Sequence, residues 1–455
     1  MLEPLSPTQQ REARRWLQLG VLALAIAGLF AILLVLSRAP GMELLFPWID
    51  FFRTALVVHV DQSVLIWSLA MAGVIWSLAG VPTTGVRVWG SHLAFVLTLM
   101  GTLGIAASAF IGEGAPLMNN YVPVLQRPLF FIALGLVGAG VVMRLVLLLS
   151  GLRRTDFFGD PQGLISVAAL TVAVACGMAL GVLFYTWLSL PSALDGVAYY
   201  EYLFWGAGHV LQFAYTQMLL LAWLLLLQAS GVKLPVSPRL VNGLLLLGLL
   251  PILWTLVIYL NHAPVSAGMR VAFTRLMQYG GGLPAIPVGL LVLYSLFRAR
   301  NRATGAERPL RMALWFSLLL FASGGFIALL IRGVNTMIPA HYHGSIVGVT
   351  LALMGFAYLL LPALGYARVE GRLATAQPIV YGVGQILHIS GLAFSGFMGI
   401  QRKTAGTAQG LESIQAKLAM GVMGIGGLLA VIGGILFVWI MLRAFWNGPV
   451  IQRTD

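Results

Sequence analysis

Cysteine and charged residues are both scarce in this chain of 455 residues. The single cysteine, Cys176, lies inside an apolar stretch. One thiol excludes a disulfide within the chain, a thiolate zinc site, an iron–sulfur cluster and a CxxCH haem attachment. A redox centre would therefore have to use histidine, carboxylate, methionine or backbone ligands.

Charged residues make up only 9% of the chain, hydrophobic residues make up 59%, and the mean hydropathy is +0.92. A soluble protein of this length needs more charge to cover its surface, so the composition indicates a polytopic membrane protein. The formal net charge of +13 is typical of arginines that face anionic lipid from cytoplasmic loops. We therefore expect a lipid bilayer as a partner and no nucleic acid, because no soluble domain is present to bind one.

Apolar runs of roughly 20 residues, the length of a membrane-crossing helix, occur twelve times. Each span must satisfy its own backbone, so these runs predict an all-α integral membrane protein rather than a barrel. Short connections leave no room for a second domain, and we expect a single twelve-helix catalytic domain over residues 1–455. Residues 1–15 are expected to form a cytoplasmic N-terminal segment and residues 444–455 a cytoplasmic tail. The predicted spans are 16–38, 55–80, 87–112, 129–151, 163–188, 201–229, 240–262, 270–297, 309–332, 340–363, 377–400 and 418–443.

Loop charge predicts the orientation, because basic residues collect on the cytoplasmic side. No small-residue cleavage signal follows the first apolar run, which indicates an uncleaved first span. We expect both termini to be cytoplasmic, in an inner (plasma) membrane, with the opposite loops periplasmic. The basic set comprises Arg11, Arg14, Arg15, Arg153, Arg154, Lys233, Arg239, Arg298, Arg300, Arg302, Arg308, Arg368, Arg372 and Arg453, and the opposite loops hold Glu43, Asp50, Glu113 and Asp195.

Five of the seven histidines share one predicted depth, in the outer third of the membrane. A lone intramembrane histidine is usually a hydrogen-bond partner between helices, and we interpret His92 and His388 in that way. Several histidines at one depth instead indicate function, since neutral imidazole is the commonest metal and haem ligand. The five are His59, His209, His262, His341 and His343.

The stretch "AHYHG" constrains the last two of these histidines. Positions two apart on a helix point about 200° apart, so His341 and His343 cannot chelate one metal together. They can hold two planar macrocycles, one on each flank of the same helix.

In order and depth, these features resemble subunit I of the haem-copper oxidase superfamily, which includes cytochrome oxidases and nitric oxide reductases. The resemblance covers nearly the whole chain: twelve spans, a histidine early on the second, "WGAGH" on the sixth, a histidine ending the seventh, and HxH on the tenth. It implies a subunit I-like bundle that holds a low-spin haem, a high-spin haem and one non-haem metal, either copper or iron.

The resemblance also implies residue roles. His59 and His343 correspond to the axial ligands of the low-spin haem, and His341 to the proximal ligand of the high-spin haem. His209 and His262 correspond to ligands of the second metal. The basic pair Arg402 and Lys403, in "GIQRKTAG", looks like the pair that binds haem propionates, which need cationic donors.

Two positions depart from the family pattern. Asn261 stands where oxidases have a second adjacent histidine, and an amide is a poor copper ligand. Phe213 stands where the best-known oxidases have a tyrosine that helps to cleave the O–O bond. Gln212 is a candidate second-metal ligand or outer donor, and Tyr259 is either a relocated phenol or an interfacial anchor.

Carboxylates lie on the predicted outer side, at Asp61, Glu113 and Glu201. They are candidates for proton uptake or ordinary interfacial groups. No clear line of carboxylates or lysines runs inward from the cytoplasm, which favours protons taken from outside by an enzyme that does not pump.

The expected function is a respiratory terminal reductase that reduces NO to N2O, with O2 reduction by an atypical cytochrome c oxidase as the alternative. A haem protein without enzymatic activity would not need His209 and His262, and a secondary transporter would have no use for the histidine layer. Without a CxxCH motif or a cysteine pair, the chain must receive electrons through a partner. We expect a second subunit that carries haem c or a copper domain, supplied by cytochrome c or a similar donor.

Overall fold

The computed structural model describes residues 4–36, 51–81, 85–151, 163–299, 303–402 and 413–447. These residues are almost entirely helical, with one two-stranded antiparallel ladder. The elements are α1 (Pro7–Leu36), α2 (Phe51–Val60), a π-helical segment (Asp61–Ile66), α3 (Trp67–Ala79), α4 (Gly85–Ala107), β1 (Pro116–Leu117), β2 (Val124–Leu125), α5 (Pro128–Gly151), α6 (Gly163–Ser189), α7 (Gly196–Ala229), α8 (Pro238–Leu247), α9 (Leu249–Asn261), α10 (Ala267–Gly280), α11 (Ala285–Arg298), α12 (Glu307–Leu329), α13 (Met337–Leu360), α14 (Arg372–Phe397) and α15 (Ile414–Trp446).

The prediction of twelve spans is confirmed: within the described ranges, twelve helical stretches are long and apolar enough to cross a membrane. Most observed bounds lie within a few residues of the predicted ones. The first span is the largest exception, because its helix already begins at Pro7.

Polar contacts explain why α1 begins before its apolar run. Glu12 is buried on α1, where it accepts hydrogen bonds from Ser91 Oγ at 2.9 Å and from Arg15 Nη1 at 3.2 Å. The same Arg15 nitrogen lies 3.1 Å from His92 Nδ1. Because these charged groups satisfy one another, the helix continues through a segment that hydropathy alone excludes.

The described residues form two compact units. The first comprises Leu2–Leu221 and Leu234–Leu291, and the second comprises Ala222–Lys233 and Val292–Asp455. That the whole chain acts as one catalytic domain stays a prediction.

Tryptophan and glycine interlock in the core of the first unit. The buried ring of Trp16 on α1 lies directly on Gly73 of α3, where an added β-carbon would be 2.9 Å from Trp16 Cγ and closer still to the rest of the ring. In return, Trp67 on α3 lies against Gly20 of α1. The glycines let the helix axes approach until the indole rings fill the interface.

Two spans are broken. The seventh span divides at Gly248 into α8 and α9, and the eighth divides after Gly280 into α10 and α11. Proline explains both breaks, since Pro251 and Pro284 lack the backbone N–H that would continue the helix. The Leu245 carbonyl, in the last turn of α8, accepts hydrogen bonds from the Gly248 N–H and from Gln217 Nε2, both at 3.1 Å, which satisfies it away from water.

The second unit contains a close crossing of α12 and α13. Gly324 and Gly344 face each other there: a β-carbon on Gly344 would lie 2.6 Å from the α-carbon of Gly324. A β-carbon is absent on both sides, so the two backbones touch. This crossing places the backbone carbonyl of Gly324 on α12 beside His341 of α13.

Candidate functional site

Four histidines share one hydrogen-bond arrangement, in which ring atom Nδ1 contacts a backbone carbonyl. A carbonyl can only accept, so Nδ1 carries the proton and Nε2 keeps its lone pair. Ligating histidines in metalloproteins are oriented in this way, because the carbonyl fixes the tautomer and the ring direction. These imidazoles therefore fit a role as iron or metal ligands through Nε2. The four contacts are His59 to Ala27 at 2.8 Å, His209 to Trp205 at 2.7 Å, His341 to Gly324 at 2.8 Å and His388 to Met423 at 3.0 Å.

His209 of the first unit is the most enclosed of the predicted ligands, at 5% exposure. Its ring is tilted against the rings of Trp205 and Phe273, with centroids 5.0 and 5.6 Å away. The hydroxyl of Tyr121 lies 2.9 Å from His209 Nε2. Because Nδ1 donates to a carbonyl, the phenol is the donor and Nε2 the acceptor. The nitrogen that would bind a metal thus has a phenol beside it.

The "WGAGH" motif creates room for aromatic neighbours. A β-carbon on Gly208 would collide with the ring of Tyr121, and one on Gly206 would collide with the hydroxyl of Tyr259. Both residues must therefore be glycine for the two tyrosines to pack beside α7. The sequence interpretation did not include Tyr121, although this pair of glycines is the signal that indicates a close neighbour.

The loop between β1 and β2 holds Tyr121 in position. Its segment includes the short β1–β2 ladder, and Asn119 Oδ1 accepts hydrogen bonds from the backbone N–H groups of Tyr121 and Val122, both at 3.0 Å. The ring of Tyr121 also packs edge-on against Trp205, with centroids 5.7 Å apart. Contacts with its backbone and with its ring thus hold the phenol of Tyr121 in place.

Charged groups surround this loop. Glu201 on α7 accepts hydrogen bonds from the backbone and the side-chain amide of Asn120 and lies 3.9 Å from Arg270 Nη2. The guanidinium carbon of Arg270 lies 4.4 Å from the ring centre of Trp205, a cation–π distance. Burial raises the pKa of Tyr121 above its ordinary value, Glu201 adds to that rise, and Arg270 opposes it. Tyr121 is therefore a neutral donor towards His209.

His262 and Asn261 are next to each other in sequence but are placed differently. α9 ends at Asn261, and His262 adopts an extended conformation with its ring on Gly268, where a β-carbon would be 2.7 Å from Nδ1. Asn261 is exposed, and its amide donates to Val257 O of its own helix at 2.7 Å. The side chain of Asn261 is therefore bound to α9 itself.

Tyr259 and Gln212 do not contact His209 through hydrogen bonds in the described part of the chain. The Tyr259 hydroxyl lies 3.2 Å from Thr186 Oγ1, and its ring packs against Phe273, which also contacts His209. Gln212 is half-buried one turn beyond His209. Phe213 is buried at 2% exposure, and its ring carries no hydroxyl.

Buried carboxylates are rare near these histidines. Asp61 lies on the π-helical segment after His59, and both of its carboxylate oxygens are buried without a hydrogen bond from the described residues. Its burial excludes an ordinary interfacial position, whereas Glu113 is exposed. Within the described ranges, no three residues of the types His, Cys, Asp and Glu are close enough together to hold a metal ion.

The HxH pair lies on α13 of the second unit. His343 contacts the ring of His388 on α14 edge-on, with centroids 4.9 Å apart. Arg402 is close enough to Tyr342, between the two histidines, for its charge to act on that phenol. Lys403 lies outside the described residues.

Comparisons with known proteins show what the chain is similar to. Residues 12–442 match the family described as cytochrome c and quinol oxidase polypeptide I. An uncharacterised protein of Rickettsia prowazekii (strain Madrid E) is 30% identical over 496 residues, covering 94% of each chain. A second uncharacterised protein, from Aquifex aeolicus (strain VF5), is 31% identical over 361 residues, covering 78% of this chain and 86% of the relative.

A solved structure is also similar. A chain from a haem-copper terminal oxidase dimer superposes with a TM-score of 0.70 at 16% identity, covering 97% of this chain and 85% of the other. At that identity the similarity concerns the fold. It confirms the prediction of a subunit I-like helical bundle.

Proposed function

The chain belongs to the cytochrome c and quinol oxidase polypeptide I family, and on that premise we propose that it is the catalytic subunit of a terminal respiratory reductase that converts NO to N2O. The family makes it an oxidoreductase of the haem-copper oxidase superfamily and a multi-pass membrane protein. The substrate, the ligand assignments and the orientation in the membrane are the proposal.

Each histidine receives one role. His59 and His343 would hold the low-spin haem, His341 would hold the high-spin haem, and His209 with His262 would hold a non-haem copper or iron. When bound, these groups would supply one-electron transfer and reductive chemistry on a diatomic substrate. The protein contributes oriented imidazoles, and the Nδ1–carbonyl contacts of His59, His209 and His341 support that role.

The propionates of the haems are assigned to Arg402 and Lys403. Propionates need cationic donors, and the charge of Arg402 acts beside the HxH pair at Tyr342. This position supports a propionate role for Arg402.

NO is favoured as the substrate by the arrangement of Asn261. Asn261 stands where oxidases have a second imidazole, and its amide is bound to Val257 of its own helix. The second metal would therefore have fewer imidazole ligands than in an oxidase. Reduction of two NO molecules takes two electrons and two protons, and it needs no phenol at the position held by Phe213. A specific observation favours the alternative, O2 reduction to water, because Tyr121 supplies a phenol beside His209 from another element.

Turnover with each substrate separates these two functions. The purified, reduced enzyme is supplied under strictly anaerobic conditions with NO, and separately with O2. We expect rapid N2O formation and negligible O2 uptake, together with two haems and about one non-haem metal per chain. Rapid O2 uptake without N2O would replace the proposal by the oxidase alternative, and a colourless preparation would reject both.

The Asn261→Ala variant tests whether the Asn261 amide contacts only its own helix or binds the second metal. Asn261→Ala should leave the non-haem metal content and the rate with NO within about twofold of wild type, because the amide contacts α9 rather than a ligand site. The measurement is metal analysis and N2O formation. A large loss of metal would show that the Asn261 amide turns away from α9 to bind it.

Electrons reach the chain from a partner in this proposal. The partner is a second subunit with haem c or a copper domain, which cytochrome c or a similar donor reduces. Both termini are cytoplasmic, the membrane is the inner (plasma) membrane, and the histidine layer lies toward the periplasm, following the loop charges. Protons come from the periplasmic side, where Glu201 lies beside the loop of Tyr121.

A further inference from the structure

We infer that His388 on α14 is a positioning residue for His343: its Nε2 accepts a hydrogen bond from the ring N–H of His343, and this bond lowers the midpoint potential of the low-spin haem. The inference rests on the proposed function, in which His343 is an axial ligand of that haem. The juxtaposition that carries it lies within the second unit. The rings of His343 and His388 meet edge-on there, with centroids 4.9 Å apart and planes inclined at 64°.

The tautomer of His388 leaves a lone pair on Nε2. Its Nδ1 lies 3.0 Å from Met423 O, and a carbonyl can only accept, so Nδ1 carries the proton and Nε2 does not. Nε2 has no hydrogen-bond partner among the described residues. An acceptor within a membrane lacks the hydrogen bonds that water would supply and needs a donor from the protein. The ring in contact with His388 is that of His343, and its N–H is such a donor.

The separation of the two rings suits a hydrogen bond between them. Donor and acceptor atoms of N–H hydrogen bonds are about 2.9–3.0 Å apart and each imidazole nitrogen lies about 1.1 Å from its ring centre, so bonded rings have centres about 5 Å apart. The observed 4.9 Å agrees with this value.

The same distance excludes His388 as the second axial ligand opposite His343. Two imidazoles on opposite sides of one metal, each bound at about 2.0–2.1 Å, have ring centres about 6 Å apart or more. At 4.9 Å the rings are too close to hold an iron between them. His388 therefore lies beside the proposed ligand rather than across the haem from it.

Helix α15 holds the ring of His388 in its direction. A β-carbon on Gly426 would collide with the backbone nitrogen of His388, and one on Gly427 would lie 3.3 Å from its Nδ1. These two glycines let α15 approach until the Met423 carbonyl reaches the ring. The acceptor is thus oriented in advance, as the groups that orient ligating histidines are.

The chemical effect of such an acceptor is on the iron. An acceptor at the ring N–H of an axial histidine makes the imidazole a stronger electron donor. The ferric haem is then stabilised more than the ferrous haem, which lowers the midpoint potential. His341 has a peptide carbonyl in this place, that of Gly324 at 2.8 Å. An imidazole acceptor behind His343 would therefore distinguish the low-spin haem from the high-spin haem.

Redox titration of His388 variants tests the inference on the full, haem-loaded chain. His388→Phe keeps an aromatic ring but removes the lone pair, whereas His388→Gln supplies an amide oxygen that can accept. We expect His388→Phe to retain two haems and to raise the midpoint potential of the low-spin haem, favouring reduction by at least about tenfold, or about 59 mV for one electron. His388→Gln should recover most of this shift. The electron paramagnetic resonance g values of the ferric low-spin haem should change in the same order.

Tyr381→Phe is the matched control. Tyr381 lies two turns before His388 on α14 and packs on Gly433 of α15, so loss of its hydroxyl should leave the potential and the g values unchanged. Equal potentials and g values in wild type and His388→Phe would overturn the inference, and the proposed function would stand if His343→Ala still lost the low-spin haem. Shifts of the same size in His388→Phe and His388→Gln would also overturn it, because packing rather than the acceptor would then set the potential. A low-spin haem that persisted in His343→Ala would overturn both the inference and the axial assignment.

Discussion

Replacing His59 by alanine should reduce the haem content from about two to about one per chain and abolish the low-spin haem spectrum. The ring of His59 is oriented by its Nδ1 contact with Ala27 O of α1 at 2.8 Å. This contact leaves Nε2 with a free lone pair, the nitrogen that the proposal assigns to iron. Alanine removes the proposed axial ligand without adding bulk to α2. The measurement is haem extraction with quantification, together with the reduced-minus-oxidised spectrum.

Other histidines provide the comparison for this variant. His343→Ala should cause the same loss, since both residues are assigned to one haem. His92→Ala should keep two haems, because His92 contacts Arg15 near the buried Glu12. A His59→Ala protein with two haems and an unaltered low-spin band would contradict the axial assignment.

Hydropathy predicts the spans well because the sequence requirements of a membrane-spanning helix are local. Each helix in a bilayer must satisfy its own backbone and present apolar side chains, so roughly 20 adjacent residues contain the necessary information. The early start of α1 at Pro7 depends instead on Ser91, which is distant in sequence and accommodates Glu12. A hydropathy window that covers one span contains no information about such contacts between helices.

The histidine layer could be predicted in part. The depth of each histidine in the membrane follows from the span bounds, but the residues that surround its imidazole ring cannot be inferred from them. The sequence favours a structural role for His388, yet its Nδ1 contacts Met423 O in the same manner as the proposed ligands, and its ring touches His343. These contacts depend on the packing of α14 against α13 and α15. No spacing within α14 indicates them.

Tyr121 shows most clearly where sequence reasoning stops. It lies in a connection between spans, and nothing local distinguishes it from an interfacial tyrosine. Its contact with His209 depends on how a loop folds over another helix. The pair Gly206 and Gly208 is the one sequence signal, because small residues mark the close approach of a neighbour. Neither glycine identifies that neighbour as a phenol.

Replacing Gly324 by alanine should have the second large effect, on the haem assigned to His341. The carbonyl of Gly324 accepts the Nδ1 hydrogen bond of His341 at 2.8 Å. The same residue touches α13, where a new β-carbon would be 2.6 Å from Ser345 Oγ and 2.8 Å from the carbonyl carbon of Gly344. The methyl group must therefore separate α12 from α13, at a cost of about 1–3 kcal/mol typical of overpacking. The separation moves the carbonyl away from His341.

Gly325→Ala is the matched control for this variant, because no atom lies within 4 Å of a β-carbon at that neighbouring position. We expect Gly324→Ala to lose most CO binding by the high-spin haem and to shift the iron–histidine stretching band, since the imidazole loses its orienting acceptor. The low-spin band should persist in both variants. Identical CO spectra and stretching bands in Gly324→Ala and Gly325→Ala would contradict the role of this helix crossing. A loss confined to Gly324→Ala would connect the glycine contact of α12 and α13 to the orientation of the proximal imidazole.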